Sequence, residues 1–289
     1  MATTYQNPKN VFDAHCHIGE IPPYKFYDME HPVKPIVYDY PDTRSFVKDH
    51  MDEFGIERAL VMSNYGVPDH ELSFNLNDVV MDAATSSDRI LAGIWVSFLP
   101  QNAEHTRKAL ELCTEKRVVA LKTTFLLGGN PDPGSWDEET KQIVDEIFDV
   151  CEREDLVFHF HTSPGGNSDI NNFIPLVEAY GKRYKIYLVH FGGGVSGHIK
   201  LVPKFLDWVR EGYQVYTDLS WSVGFGGRWL LTEIEKQGIG GDRVFFGSDE
   251  PWSDFMGEFW KINGTRGISQ ELKERVFWQN YDELFAGRG

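Results

Sequence analysis

Short apolar, β-branched runs alternate with amphipathic stretches along the whole chain, and this alternation limits the fold more than any other feature. Strands are expected at residues 11–17, 58–63, 90–98, 118–125, 156–162, 185–191, 214–219 and 243–248. Helical periodicity falls between them, at 43–54, 72–86, 103–115, 137–154, 170–180, 200–211 and 228–237, and an eighth helix at 270–285 closes the chain. Eight strand–helix pairs with no separate block of strands predict a parallel sheet, and eight is the number that closes a barrel. The strands are apolar throughout, as expected when helices cover the outer face and packed side chains fill the inner one. Apparent strand ends at residues 98, 124, 161, 190, 219 and 249 recur at intervals of 26 to 37 residues. The 289 residues are therefore expected to form an α/β structure, a single (β/α)8 TIM-barrel domain over 1–289.

One link breaks the rhythm. Residues 19–42 carry Pro22, Pro23, Pro32, Pro35 and Pro41 among Tyr24, Phe26, Tyr27, Tyr38 and Tyr40. Proline at that density excludes regular structure, and the rings need a surface to pack on. The segment is expected to form an ordered aromatic cap over the barrel mouth.

Composition narrows the function classes. Hydrophobic residues make up 41% and charged residues 25%, which suits a globular protein and excludes a disordered one. A net charge of −16 repels phosphate backbones and anionic lipid, so neither nucleic acid nor membrane is an expected partner. The N-terminus has no basic stretch followed by an apolar one, and no apolar run approaches the ~18 residues of a membrane span. Cys16, Cys113 and Cys151 are odd in number and widely spaced, which points to a reducing compartment and a cytoplasmic location. The sequon at Asn263-Gly264-Thr265 would then stay unmodified. A small molecule is the expected partner, and a homodimer is compatible with the sequence.

The chemistry gathers at strand ends. His15-Cys16-His17 closes the first strand, and alternation sends both imidazoles to one face and Cys16 to the other. His159-Phe160-His161 repeats the arrangement on the fifth strand, His190 ends the sixth, and Asp249 ends the eighth. Any one of these alone reads as a core histidine or a capping aspartate. Four strands placing His or Asp at the same end of one barrel point to the catalytic face. Three histidines and a carboxylate make an ordinary shell for zinc or a similar divalent ion with one position open. Lys122 ends the fourth strand.

Asp13-Ala14-His15-Cys16-His17-Ile18-Gly19, His161-Thr162, Leu188-Val189-His190-Phe191-Gly192-Gly193 and Phe246-Gly247-Ser248-Asp249 with Pro251 together resemble the metal-dependent amidohydrolase superfamily. The branch they resemble most is amidohydrolase 2, which holds carboxymuconate-semialdehyde and resorcylate decarboxylases and dicarboxylate lactonases. The resemblance runs to Asn280-Tyr281-Asp282-Glu283-Leu284-Phe285. It implies that His15, His17 and His161 are metal ligands, with Asp249 both ligand and proton carrier. His190 would polarise the substrate or orient water. His159 shares a face with His161, and the His-Thr pair selects His161. Lys122 would bridge two ions as a carboxylated lysine in binuclear relatives. With one zinc per chain as the expectation, it binds an anionic substrate group instead.

Gly192-Gly193-Gly194-Val195-Ser196-Gly197 fits a dinucleotide-binding pattern, with Asp218 at the distance expected of a ribose-binding acid. It follows five strands rather than opening the fold, and the preceding strand ends in His190. The glycines are read as making room for substrate. The expected reaction is hydrolysis of a small amide, lactone or ester by metal-activated water, with Asp249 shuttling the proton and His190 or Glu250 as the substitutes should it be only a ligand. An apolar or aromatic part of the substrate would face Tyr24, Phe26, Trp95, Trp221 or Trp252. The alternative is non-oxidative decarboxylation of an aromatic or enoic acid, in which the metal would chelate a carboxylate and a neighbouring oxygen, Asp249 would protonate carbon, and Lys122 or Arg228 would hold a second carboxylate.

Overall fold

Eight parallel strands follow one another around the sheet in chain order: β1 (Phe12–Ile18), β2 (Arg58–Ser63), β3 (Ile90–Trp95), β4 (Val118–Thr123), β5 (Val157–His161), β6 (Lys185–Val189), β7 (Val215–Asp218) and β8 (Val244–Phe245). The computed structural model describes residues 6–23, 30–34, 38–64, 70–285 and 287. Backbone bonds from Ala14 N–H to the Phe246 carbonyl, from Asp249 N–H to that of His15 and from His17 N–H to that of Glu250 join the first strand to the last segment. The strands thus form a (β/α)8 barrel.

Along β5 the alternation is plain. Val157, His159 and His161 face the barrel axis, while Phe158 and Phe160 pack outward under the helices. β1 departs from it by one residue. Its register with β2 slips between Asp13 and Cys16, so a bulge separates a lower apolar pair, Phe12 and Ala14, from the upper pair His15 and His17. Cys16 points outward with its thiol donating to the Leu60 carbonyl at 3.6 Å, the packing role expected of it. The lower interior is a plug in which the Phe12 ring lies 4.6 Å from Tyr281 and 5.6 Å from Phe285.

Several helices differ from expectation. The helix after β6 begins at Val195 rather than residue 200, because the glycine run ends in its N-cap, Gly194. A Cβ at Gly197 would sit 2.5 Å from the Gly192 carbonyl oxygen, so the glycines let the loop close on the helix start. The run expected at 43–54 is α-helical at Thr43–Phe46 and π-helical at Val47–Asp52; the last one divides likewise into Gln270–Glu274, Arg275–Gln279 and Asn280–Leu284. A helix at Phe255–Asn263 was not expected at all, and Asp254 caps it by accepting from the Gly257 N–H at 2.7 Å. β8 is short, and Asn280 compensates by donating to the carbonyls of Gly241 and Val244 at 2.8 Å.

Tyr24, Phe26, Tyr27 and Pro35 of the expected cap lie outside the described residues. The ends of that link are clamped together, with Gly19 N–H donating to the Tyr40 carbonyl at 2.8 Å and Ile21 N–H to Asp39 Oδ2 at 2.6 Å. No helix among the described residues is long and apolar enough to cross a membrane.

Candidate metal centre and active site

At the upper end of the barrel His161 of β5 meets His190, which follows β6, and His190 and the histidines of β1 converge on Asp249. Its Oδ1 lies 2.9 Å from His15 Nε2 and 3.2 Å from His17 Nε2, and its Oδ2 lies 3.9 Å from His190 Nε2. The rings of His15 and His17 meet edge-on with centroids 4.9 Å apart, and those of His161 and His190 are 4.8 Å apart. Strand geometry alone does not deliver this arrangement. Asp249 and His190 both adopt left-handed backbone angles, φ 56° and 67°, which non-glycine residues rarely hold without support. The bonds from Asp249 N–H to His15 and from His190 N–H to Asp218 Oδ1, at 2.8 and 3.3 Å, supply part of it. Gly247 completes the approach, since a Cβ there would lie 3.0 Å from His15 Cβ and 3.2 Å from Asp218.

The donor set suits a divalent cation. His17 Nδ1 is 2.9 Å from the Ser63 carbonyl oxygen, which can only accept, so the proton sits on Nδ1 and Nε2 keeps a lone pair for a cation shared with Asp249 Oδ1, 3.2 Å away. Burial lowers the pKa of His15, His161 and His190 well below the ordinary histidine value, and the Lys122 charge adds to this in each. Neutral imidazoles are the ligand form. Ligand atoms of His15, His190 and Asp249 all lie within 4.8 Å of one another. A second group, Asp13, Cys16 and His50, is equally close, but Asp13 already accepts from His50 Nε2, Ser248 N and Ser248 Oγ. Burial also pushes the Cys16 thiol far up, which keeps it protonated. That group ties the Asp249-bearing loop to β1 and is poorly suited to an ion.

A cavity of about 520 Å³ opens above these residues. His17, His161, His190, Asp249 and Lys122 line its base, and Trp221 and Trp252 line its walls. Lys122 is 1% exposed, with Nζ 3.4 Å from His15 Nε2. Burial lowers its pKa to about 8, with the charges of Asp249 and Asp218 acting in the opposite direction. Trp252 is steadied by its indole N–H donating to Asn64 Oδ1 at 2.8 Å. Gly193, from the glycine run, reaches the cavity wall, as expected of residues that make room.

Three sequence expectations fall elsewhere. Arg228 is exposed on the helix Gly226–Gln237 and borders a separate shallow depression beside Phe225 and Trp229. Trp95 is buried and does not line the cavity. Glu250 turns away, accepting from Phe255 N–H at 3.0 Å and Tyr40 O–H at 3.4 Å. His159 lies beneath the site, stacked on Tyr187 with centroids 3.9 Å apart. The sequence reading passed over Asp13, Ser220 and Ser63, whose parts depend on contacts between strands. Asp218 had been weighed only as part of a dinucleotide pattern, although its place two residues before Ser220 at a strand end was a usable signal.

A parallel eight-stranded barrel with imidazoles and a carboxylate at the C-terminal strand ends defines a class of metal-dependent enzymes. Residues 12–285 match the family model described as Amidohydrolase, and the chain belongs to that amidohydrolase family. No curated protein matches it by sequence. Among solved structures it is similar to 2,6-dihydroxybenzoate decarboxylase from Rhizobium, with 19% identity, a TM-score of 0.63, and coverage of 97% of this chain and 99% of that one. A 5-carboxyvanillate decarboxylase from Novosphingobium aromaticivorans with bound manganese aligns at 16% identity and TM-score 0.65, covering 96% and 97%. A probable 2-pyrone-4,6-dicarboxylic acid hydrolase from Acinetobacter baumannii aligns at 16% and 0.61, covering 96% and 99%. At these identities the likeness is one of fold.

Proposed function

We propose that the protein is a metal-dependent carboxy-lyase that removes CO2 without oxidation from a small aromatic or enoic acid. The observation that carries this reading is Lys122, a buried amine on the cavity floor 3.4 Å from His15. Burial opposes the ammonium form of Lys122 more than the charges of Asp249 and Asp218 favour it, and a substrate carboxylate would add a further anion beside the ligand set. A neutral amide or ester would not. Two of the structures described above act, by name, on hydroxylated or methoxylated benzoates, which suits a cavity walled by Trp221 and Trp252.

His15, His17, His161 and Asp249 would hold one divalent ion, zinc or manganese. Bound there, the ion would supply Lewis-acid polarisation of substrate oxygens. Lys122 fixes the carboxylate, and the tryptophans orient the ring. Asp249 carries a proton, taken up from solvent, to the carbon bearing the carboxylate. The C–C bond then breaks, its electron pair stays on the ring carbon, and CO2 leaves. Solvent restores the proton to Asp249. His190, whose Nε2 lies across from Asp249 Oδ2, accepts a hydrogen bond from a substrate hydroxyl and so orients the substrate.

Hydrolysis remains a second reading, because the same Asp249 and His190 could serve water attack on a lactone, the reaction class of the pyrone-dicarboxylate neighbour. Two facts weigh against a dicarboxylate. Among described cavity-lining residues Lys122 is the one Lys or Arg, and Arg228 lies outside. The test is a panel of hydroxybenzoates, enoic acids, lactones and amides offered to zinc- and manganese-loaded protein, with CO2 and acid release scored separately. CO2 with stoichiometric loss of a benzoate or enoate is expected. Acid release from a lactone or amide without CO2 would overturn the reading.

A further inference from the structure

Two residues at the upper end of β7, Asp218 and Ser220, form a chain behind His190. Ser220 Oγ lies 2.5 Å from Asp218 Oδ1 and 2.8 Å from His190 Nδ1. The same Asp218 oxygen accepts the backbone N–H of Ser220 at 3.0 Å and that of His190 at 3.3 Å. All three residues are buried, and His190 Nε2 looks the other way, toward Asp249 Oδ2. We propose that Asp218 and Ser220 are positioning residues that fix the tautomer of His190, holding its proton on Nδ1 and leaving Nε2 with a free lone pair directed at the reacting groups.

The inference follows from counting protons. Two oxygens 2.5 Å apart must share a hydrogen. Asp218 as a carboxylate has none, so the single hydroxyl hydrogen of Ser220 is committed to it. Ser220 can then only accept from the imidazole, and the acceptable form of His190 is the one protonated at Nδ1. Asp218 also grips the His190 backbone, so one carboxylate sets both the left-handed main chain, φ 67°, and the ring state. The arrangement repeats in side-chain form what the Ser63 carbonyl does for His17. It also accounts for Asp218, a buried acid on the cavity side of β7 that the proposed reaction leaves without a task.

This inference uses the site of the proposed carboxy-lyase but stands apart from its substrate, and its test does as well. The full-length zinc-loaded protein, labelled with 15N-histidine, is examined by long-range 1H–15N correlation at about pH 8.5. That is above the value of about 7 to which burial raises Asp218. His190 should show a pyrrole-type Nδ1 and a pyridine-type or metal-shifted Nε2. Ser220→Ala should give a mixed or inverted tautomer with metal content unchanged, and Ser220→Thr, which keeps the hydroxyl, should restore the wild-type pattern. On any turnover that the substrate panel reveals, Ser220→Ala should lower kcat about 10- to 100-fold with KM little altered. A wild-type His190 protonated at Nε2 would overturn the proposal. So would a Ser220→Ala spectrum with His190 still protonated at Nδ1 alone. Failure of decarboxylation would leave the nitrogen spectra as the deciding measurement.

Discussion

The lower and upper halves of the barrel interior are built by the same eight strands to opposite ends. Below, Phe12, Leu60, Val157 and Phe245 close around Tyr281 and Phe285 in a fully packed plug. Above, the positions one or two pleats further along carry His15, His161 and Asp249, all at the base of the cavity or in direct contact with it. The backbone shows the same division. Of the five described non-glycine residues with positive φ, four (His190, Phe191, Trp221 and Asp249) lie at the upper end, and only Asp155 lies below. Each such residue costs roughly 1–3 kcal/mol. Apolar burial in the lower half offsets that cost, so the stable end carries the strained one.

The division predicts that damage above should remove chemistry and damage below should remove stability. Asp249→Asn should lower kcat at least 10²- to 10⁴-fold by the typical worth of an acid–base group, with thermal unfolding close to wild type. Phe245→Ala should reverse the pattern, costing about 3–5 kcal/mol in chemical denaturation while the folded fraction keeps its metal and its kcat. A Phe245→Ala protein that unfolds like wild type, or an Asp249→Asn protein that turns over within a few-fold of it, would break the comparison.

Smaller effects sharpen it. Lys122→Met should raise KM for a carboxylate substrate about 10- to 100-fold, the worth of one charged hydrogen bond, with a lesser change in kcat. An unchanged KM would move the anion site elsewhere. Arg228→Ala, at an exposed position outside the cavity, should leave kcat, KM and stability within about 0.5 kcal/mol of wild type, as steady-state kinetics and melting can check.

Most of this division was legible in the sequence, because two periods carry it. The strand–helix repeat gave away the barrel, and the alternation of His15, Cys16 and His17 separated ligand candidates from packing. Contacts that join strands remote in sequence were not legible. The bulge in β1 shows only in its register with β2. The Ser220 hydroxyl matters only because β7 runs beside β6. The helix Phe255–Asn263 escaped because Gly257 and several aromatic residues weaken its intrinsic signal, and packing of Phe255 and Phe259 on Phe246 overrides that weakness. Arg228 misled for the opposite reason. It follows β7 closely in sequence, yet the helix it sits on presents it to solvent.

The central claim is that the upper end is a metal centre built on Asp249 and the β1 histidines. Anomalous scattering from crystals of the protein grown with zinc or manganese, measured at the metal edge, tests it most directly. The account predicts one dominant peak per chain within bonding distance of His15, His17 and Asp249, absent after His15→Ala with His17→Ala. A peak at Asp13, Cys16 and His50 instead, or a full-occupancy peak surviving in the double variant, would contradict it.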